Sequence, residues 1–337
     1  VRYGVLYSFQ DPPGSPLGHE TLYAAALEQV QAAERQGYEW VNVTEHHVAA
    51  DGYLPAVLGV LAAMAAVTDR IRLSTGMLIL TLHHPLRIAE EAAVVDVISG
   101  GRLTLGIAVG YREIEFAAFG IDYETRGRRF RESVEILQRA WTGEPFAYSG
   151  EIFEIPEVVV RPRPVQRPGI PLWFGGTTPV ALKRAVAHGS PCFPGATDDL
   201  DAIRERLERY DRLRDEAGAT WQREVVIPRL ALVADSVAEA RRLALPGITA
   251  MFETYMSWGL PVDFTAALRD WNLLDELVIV GDETHCAEQL ARYAELGTTD
   301  LLLQFAMPTI ESAVVAESQE RFLAACAPQR KAREVTS

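Results

Sequence analysis

Apolar, β-rich runs alternate with helical patterns from one end of this chain to the other, and no other feature narrows the possible folds so far. The runs fall at 3–7, 40–44, 71–80, 103–109, 171–175, 190–193, 225–233 and 300–305. Helical patterns lie between them at 19–36, 54–68, 86–98, 128–141, 179–188, 200–217, 286–296 and 310–326. Four of these stop at glycine, at Gly37, Gly100, Gly143 and Gly297, where a left-handed C-terminal cap is expected. Strands that alternate with helices argue for parallel pairing through crossover connections. Eight of each describe a (β/α)8 barrel, an α/β fold that exceeds ordinary domain size without dividing, so a single domain over 1–337 is expected.

Two stretches exceed what a minimal barrel needs. Residues 144–166 read as a hairpin turning at Ser149-Gly150, followed by a proline-rich connector. Residues 245–277, after the seventh run, carry Phe252, Tyr255, Trp258, Phe264 and Trp271 and make a candidate lid over the catalytic end; an extra helical layer is the plainer alternative.

Partners are bounded by charge. The net charge is −14, with Lys+Arg 32 against Asp+Glu 46, which disfavours nucleic acid and anionic membranes. Cys192, Cys286 and Cys326 form no CxxC pair and no even-numbered framework, as expected of a reducing cytoplasm. The chain opens directly on a strand-like segment, and the apolar stretch 56–67 is too short to span a bilayer.

Chemistry concentrates where strands end. Glu45-His46-His47 follows the second run, at the edge where parallel α/β folds gather their active sites. Adjacent strand residues point to opposite faces, so His46 and His47 are poorly placed to ligate one ion; Glu45 and His47 share a face, with His83-His84 as the available third ligand. A metal site, a structural histidine pair and hydrogen bonding or proton transfer at a bound ligand all remain open. Gly76 inside the apolar third run suggests a bulge or a close approach by a flat ligand, with simple packing as the alternative. The segment Gly106 to Arg112 lacks dinucleotide-fingerprint spacing, and its glycines are read as letting the strand end lie against a ligand. Gly175-Gly176-Thr177-Thr178 before Pro179 forms an anion pocket at a helix N-terminus, or else Thr178 is a plain N-cap. Arg128 and Arg129 are candidate countercharges.

Glu45-His46-His47, His84-Pro85-Leu86-Arg87 with Glu90-Glu91, the segment Asp96 to Leu103, Gly110-Tyr111-Arg112 with Phe116 and Phe119-Gly120, and Val280-Gly281-Asp282 occur in an order that resembles the bacterial luciferase-like flavin-dependent oxidoreductases. The resemblance covers nearly the whole chain. It implies a barrel with flavin at its C-terminal mouth, the ring near Gly76, Met77, Val109 and Tyr111, and the phosphate near Gly175, Gly176, Thr177 and Thr178. It also implies a non-prolyl cis peptide at Gly76-Met77 and His46 beside the reactive edge of the flavin, with Glu45 to anchor or orient it. Where many relatives carry arginine, this chain has Val109, so Arg112 or Arg128 is expected to substitute.

The activity so implied is a two-component monooxygenase. Reduced FMN (FMNH2), supplied by a separate NAD(P)H-flavin reductase, and O2 would oxygenate a small, mostly apolar organic substrate, in a homodimer using the helices at 54–68 and 86–98. The alternatives are F420-dependent hydride transfer on the same architecture, a non-catalytic flavin-binding protein and, last, a metal-dependent barrel hydrolase.

Overall fold

A computed structural model describes residues 1–326 apart from 14, 16, 261 and 262. Two positions of the expected lid, the side chain of Cys326 and residues 327–337 of the expected domain lie outside the described residues. From the start of the chain, β1 (Arg2–Tyr7), α1 (His19–Gln36), β2 (Trp40–Val43), α2 (Val57–Ala66), β3 (Arg72–Thr75), β4 (Leu78–Ile79), α3 (Pro85–Ser99) and β5 (Leu103–Ala108) alternate. Next come α4 (Glu113–Ala118), α5 (Arg126–Thr142), the hairpin β6 (Phe146–Ser149) and β7 (Glu154–Val158), β8 (Leu172–Phe174), α6 (Pro179–Ala187) and α7 (Leu200–Glu216). The remainder is β9 (Val226–Val233), α8 (Val237–Ser257), α9 (Trp271–Leu274), β10 (Val278–Gly281), α10 (Glu283–Glu295), β11 (Asp300–Gln304) and α11 (Ser312–Arg321).

In the sheet β1 lies between β2 and β11. On the β2 side follow β3, β5 and β8; on the β11 side follow β9 and β10, and all these pairings are parallel. Segment 190–193 touches β8 and the residue before β9: Cys192 bridges Val225, and the Ser190 hydroxyl accepts the Phe174 N–H at 2.9 Å. The expected sixth strand is therefore reduced to one bridge, because Pro191 and Pro194 have no N–H to lend a ladder.

Strand side chains divide between two environments. Leu6, Trp40, Trp173, Val226 and Leu302 pack together inside the sheet, with the Trp40 and Trp173 rings 4.9 Å apart. Their neighbours Val5, Tyr7, Val41, Val43, Leu73, Leu105 and Ile107 belong to the main core against the helices. Burial on both faces explains why the strands read as unbroken apolar runs. Two residues beyond Trp40, on the same face, Asn42 is fully buried and donates to Ser74 Oγ at 2.8 Å.

Several expectations are corrected. The third run is broken into β3 and β4 by a cis peptide at Gly76-Met77, the bond implied by the resemblance. β10, absent from the sequence reading, pairs with β9 directly after the proposed lid. The stretch 245–277, expected as a lid, shares its first part with α8, which runs unbroken from Val237 through Pro246. The start of α8 is marked by a capping pair, Ser236 accepting from the Glu239 N–H at 3.2 Å. The hairpin at 144–166 is present, with Phe146 opposite Val158 and Tyr148 opposite Ile155. No helix among the described residues is long and apolar enough to cross a membrane.

Candidate active site

As β2 ends, the alternation of side chains sends Glu45 and His47 one way and His46 the other. Two separate clusters result.

Glu45 is fully buried. Its Oε1 accepts from His47 Nε2 and His83 Nε2, each at 2.6 Å, and its Oε2 accepts from the Ile79 N–H at 2.6 Å. Burial alone would push this carboxyl up; the bonds from His47 and His83 outweigh it and hold it down to about 2. Seen from the other side, burial lowers His83, but the bond to Glu45 leaves it raised. The anchoring role expected of Glu45 toward His46 is corrected by this geometry, since every hydrogen bond of its carboxylate goes to His47, His83 or Ile79. The missing third ligand of a metal set is also supplied: Glu45, His47 and His83 offer ligand atoms within 4.8 Å of one another. Yet 2.6 Å is a direct N–H···O⁻ distance. Donors sharing one tetrahedral ion at about 2.0–2.1 Å each would stand farther apart. A groove of about 460 Å³ between α2 and α3 leads to Glu45 and His83.

His46 is held by a carboxylate that sequence reasoning missed. Glu115, on α4 and fully buried, accepts at a single oxygen from His46 Nδ1, the His47 N–H and Arg112 Nη1, each at 2.9 Å. Its carboxyl is held below the usual range: burial opposes ionisation, but His46, the His47 N–H and Arg112 outweigh it. Around the His46 ring stand Trp258 at 4.6 Å, Tyr53 at 4.9 Å and Tyr111 at 5.6 Å. Trp258 directly follows α8, and its indole also covers the Arg112 guanidinium at 3.8 Å. Trp258, within the stretch 245–277 expected as a lid, therefore reaches the strand-end histidine. Arg112 itself is buried and spent on Glu115 and the His47 carbonyl, the latter at 2.8 Å. The signal that could have found Glu115 is the spacing Arg112-x-x-Glu115 opening a short helix after β5, two strands along the sheet from β2.

The glycines have mixed uses. A Cβ on Gly76 would lie 2.3 Å from Asn42 Oδ1, a buried oxygen that takes no hydrogen bond. At Gly106 it would meet the Thr75 carbonyl at 2.0 Å and Met77 Sδ at 2.8 Å, and at Gly175 it would meet Met77 Cγ at 2.5 Å. Met77 thus occupies the space that Gly106 was expected to leave to a ligand, which corrects that reading, and it also packs against Gly175 of the expected anion pocket. Gly176 differs: its φ of 129° suits glycine, and neither its N–H nor that of Thr177 finds a partner among the described residues. Thr178 is the N-cap of α6, its hydroxyl accepting the Ala181 N–H at 3.2 Å. Arg128 pairs with Glu151 at 3.1 Å on the surface, and Arg129 donates to the Thr81 carbonyl. Val109 gives its carbonyl to Thr81 Oγ1. His84 caps α3, its Nδ1 accepting from the Leu86 N–H at 3.3 Å.

The model of the luciferase-like monooxygenase family matches residues 1–300. The oxygenase component of the flavin-dependent trigonelline monooxygenase of Acinetobacter baylyi is 28% identical over 70% of this chain and 66% of its own length. Among solved structures, monooxygenase RslO1 from Streptomyces bottropensis superposes with a TM-score of 0.88 at 24% identity, over 98% of this chain and 99% of that one. The FMN-bound oxygenating constituent of 3,6-diketocamphane monooxygenase from Pseudomonas putida gives 0.77 at 20%, over 97% and 98%. The F420-dependent tetrahydromethanopterin reductase of Methanopyrus kandleri gives 0.72 at 19%, over 95% and 98%.

Proposed function

The chain belongs to the luciferase-like monooxygenase family, a family of oxidoreductases, and on that premise we propose that it is the oxygenase component of a two-component system using reduced FMN and O2. The observation that carries this reading is His46: anchored at Nδ1, bonded to no protein group at Nε2 among the described residues, and screened from water by three aromatic rings. The residues present fit a planar, phosphate-bearing cofactor. Free N–H groups at Gly176 and Thr177 beside the start of α6 would hold the phosphate, the unpartnered Asn42 Oδ1 beside Gly76 offers an acceptor, and Gly76, Met77, Val109 and Tyr111 would flank the ring. Bound reduced flavin supplies the oxygen-activating chemistry. The protein's part is to hold the phosphate, exclude water with Tyr53, Tyr111 and Trp258, and let His46 Nε2 take or return a proton. A small organic substrate of mostly apolar character suits such an aromatic enclosure. A separate NAD(P)H-flavin reductase would deliver the cofactor in the cytoplasm, and a second copy of the chain would cover α2 and α3, where Val94, Val97 and Ile98 are exposed.

Stopped-flow mixing of protein and reduced FMN with oxygenated buffer tests the reading. A long-lived absorbance belonging to neither reduced nor oxidised FMN is expected. Failure to bind reduced FMN, with tight F420 binding instead, would overturn it in favour of hydride transfer.

A further inference from the structure

We infer that Glu115 is the positioning residue of His46, fixing its ring as the tautomer that carries the proton on Nδ1 and leaves Nε2 as a bare acceptor. The inference deepens the role given to His46 above and rests on it. Three donors meet on one Glu115 oxygen, and two of them, the His47 backbone N–H and the Arg112 guanidinium, can only donate. Their partner oxygen is therefore an acceptor, so at 2.9 Å the third contact requires a proton on His46 Nδ1. A neutral imidazole has one N–H, which leaves Nε2 with a lone pair facing no protein group among the described residues. Such a nitrogen is ready to accept a proton in the aromatic enclosure.

The surroundings support this assignment. Glu115 and the ring it holds are both nearly or fully buried, with the His46 side chain 12% exposed, and Trp258 seals Arg112 on its outer face. The remaining titratable groups beside His46 are Tyr53 and Tyr111, whose phenols burial pushes up so that they stay neutral, and Asp51 behind Tyr53, which Gln10 and the Tyr53 N–H occupy. Among these groups only Glu115 and Arg112 bring charge to the ring directly. His47 has the opposite arrangement. Its Nε2 donates to the Glu45 carboxylate, which fixes the proton on Nε2 and leaves Nδ1 without one.

Two adjacent histidines should consequently hold opposite tautomers, and long-range ¹⁵N–¹H correlation on the full, flavin-free chain reads both in one spectrum. At a pH where both rings are neutral, His46 is expected to show a protonated Nδ1 and an unprotonated Nε2, with His47 the reverse. A His46 proton on Nε2 in the wild-type protein would overturn the inference without any variant being needed. In Glu115→Ala, the His46 pattern should lose its Nδ1 preference while His47 keeps its own; an unchanged His46 in a folded variant would equally overturn it. Because no flavin is present, failure of reduced FMN to bind would refute the proposed activity and leave this result standing.

Discussion

Replacing Glu45 by glutamine tests whether the His47–Glu45–His83 cluster works as charge-assisted hydrogen bonding. The carboxyl is held at about 2, against an ordinary 4.5. At about 1.4 kcal/mol per unit, the difference amounts to about 3 kcal/mol of folding stability. A carboxylate depressed in the folded state contributes fully above its unfolded value, and the contribution drains away as pH falls from 4.5 toward 2. Urea unfolding of wild type and Glu45→Gln at neutral pH should therefore differ by about 3 kcal/mol, with a fall in Tm of roughly 4 °C for a chain of this size. The gap should narrow as the pH is lowered through that window. A variant as stable as wild type at pH 7, or a gap indifferent to acid, would refute the reasoning. Chelation of the wild-type protein separates hydrogen bonding from ligation. If the cluster were a metal site, wild-type stability would fall on chelation, and the model of two N–H donors on one oxygen predicts no such fall.

Gly76→Ala should destabilise the fold by about 1–3 kcal/mol in urea unfolding, because its Cβ would press on the Asn42 amide at 2.3 Å, and a second change, Asn42→Ala, should recover part of the loss. Gly106→Ala has no such remedy: the obstacle is the Thr75 backbone carbonyl at 2.0 Å, so the variant is expected largely in the insoluble fraction on expression. His46→Ala should bind FMN within a few-fold of wild type, by fluorescence titration, while losing roughly 10²-fold or more in substrate oxygenation; full activity would remove His46 from the chemistry. Trp258→Ala should leave the fold intact by circular dichroism and raise the share of oxygen lost as hydrogen peroxide, since the ring over His46 and Arg112 would be gone.

The helix stops at Gly37, Gly100 and Gly143 were legible because a left-handed cap is a local demand that glycine meets by itself. Segment 190–193 looked like a strand by composition, yet two prolines leave it only a bridge. The α8 boundary failed for the opposite reason. α8 runs on through Pro246-Gly247, and Gly247 lies against the Pro308 carbonyl, where a Cβ would come within 2.6 Å. That contact joins positions some sixty residues apart, and local pattern does not reveal it.

The strand-end tripeptide shows the same limit at the site. Alternation along β2 was enough to put Glu45 and His47 on one face and His46 on the other, and so to argue against a metal ion shared by the two histidines. What alternation does not give is the partner on each face. His83 reaches Glu45 from the end of the third strand region and Glu115 reaches His46 from the helix after the fifth, both through loops whose direction depends on neighbouring strands. The resemblance assigned Glu45 to His46, whereas the sheet makes neighbours of residues 38 and 69 positions apart. The consequence is chemical: the two imidazoles meet their carboxylates through different nitrogens, Nδ1 in His46 and Nε2 in His47. Only the first arrangement leaves Nε2 of a strand-end histidine facing the aromatic enclosure, which is why the proposed function rests on His46, while His47 is held together with His83 on Glu45.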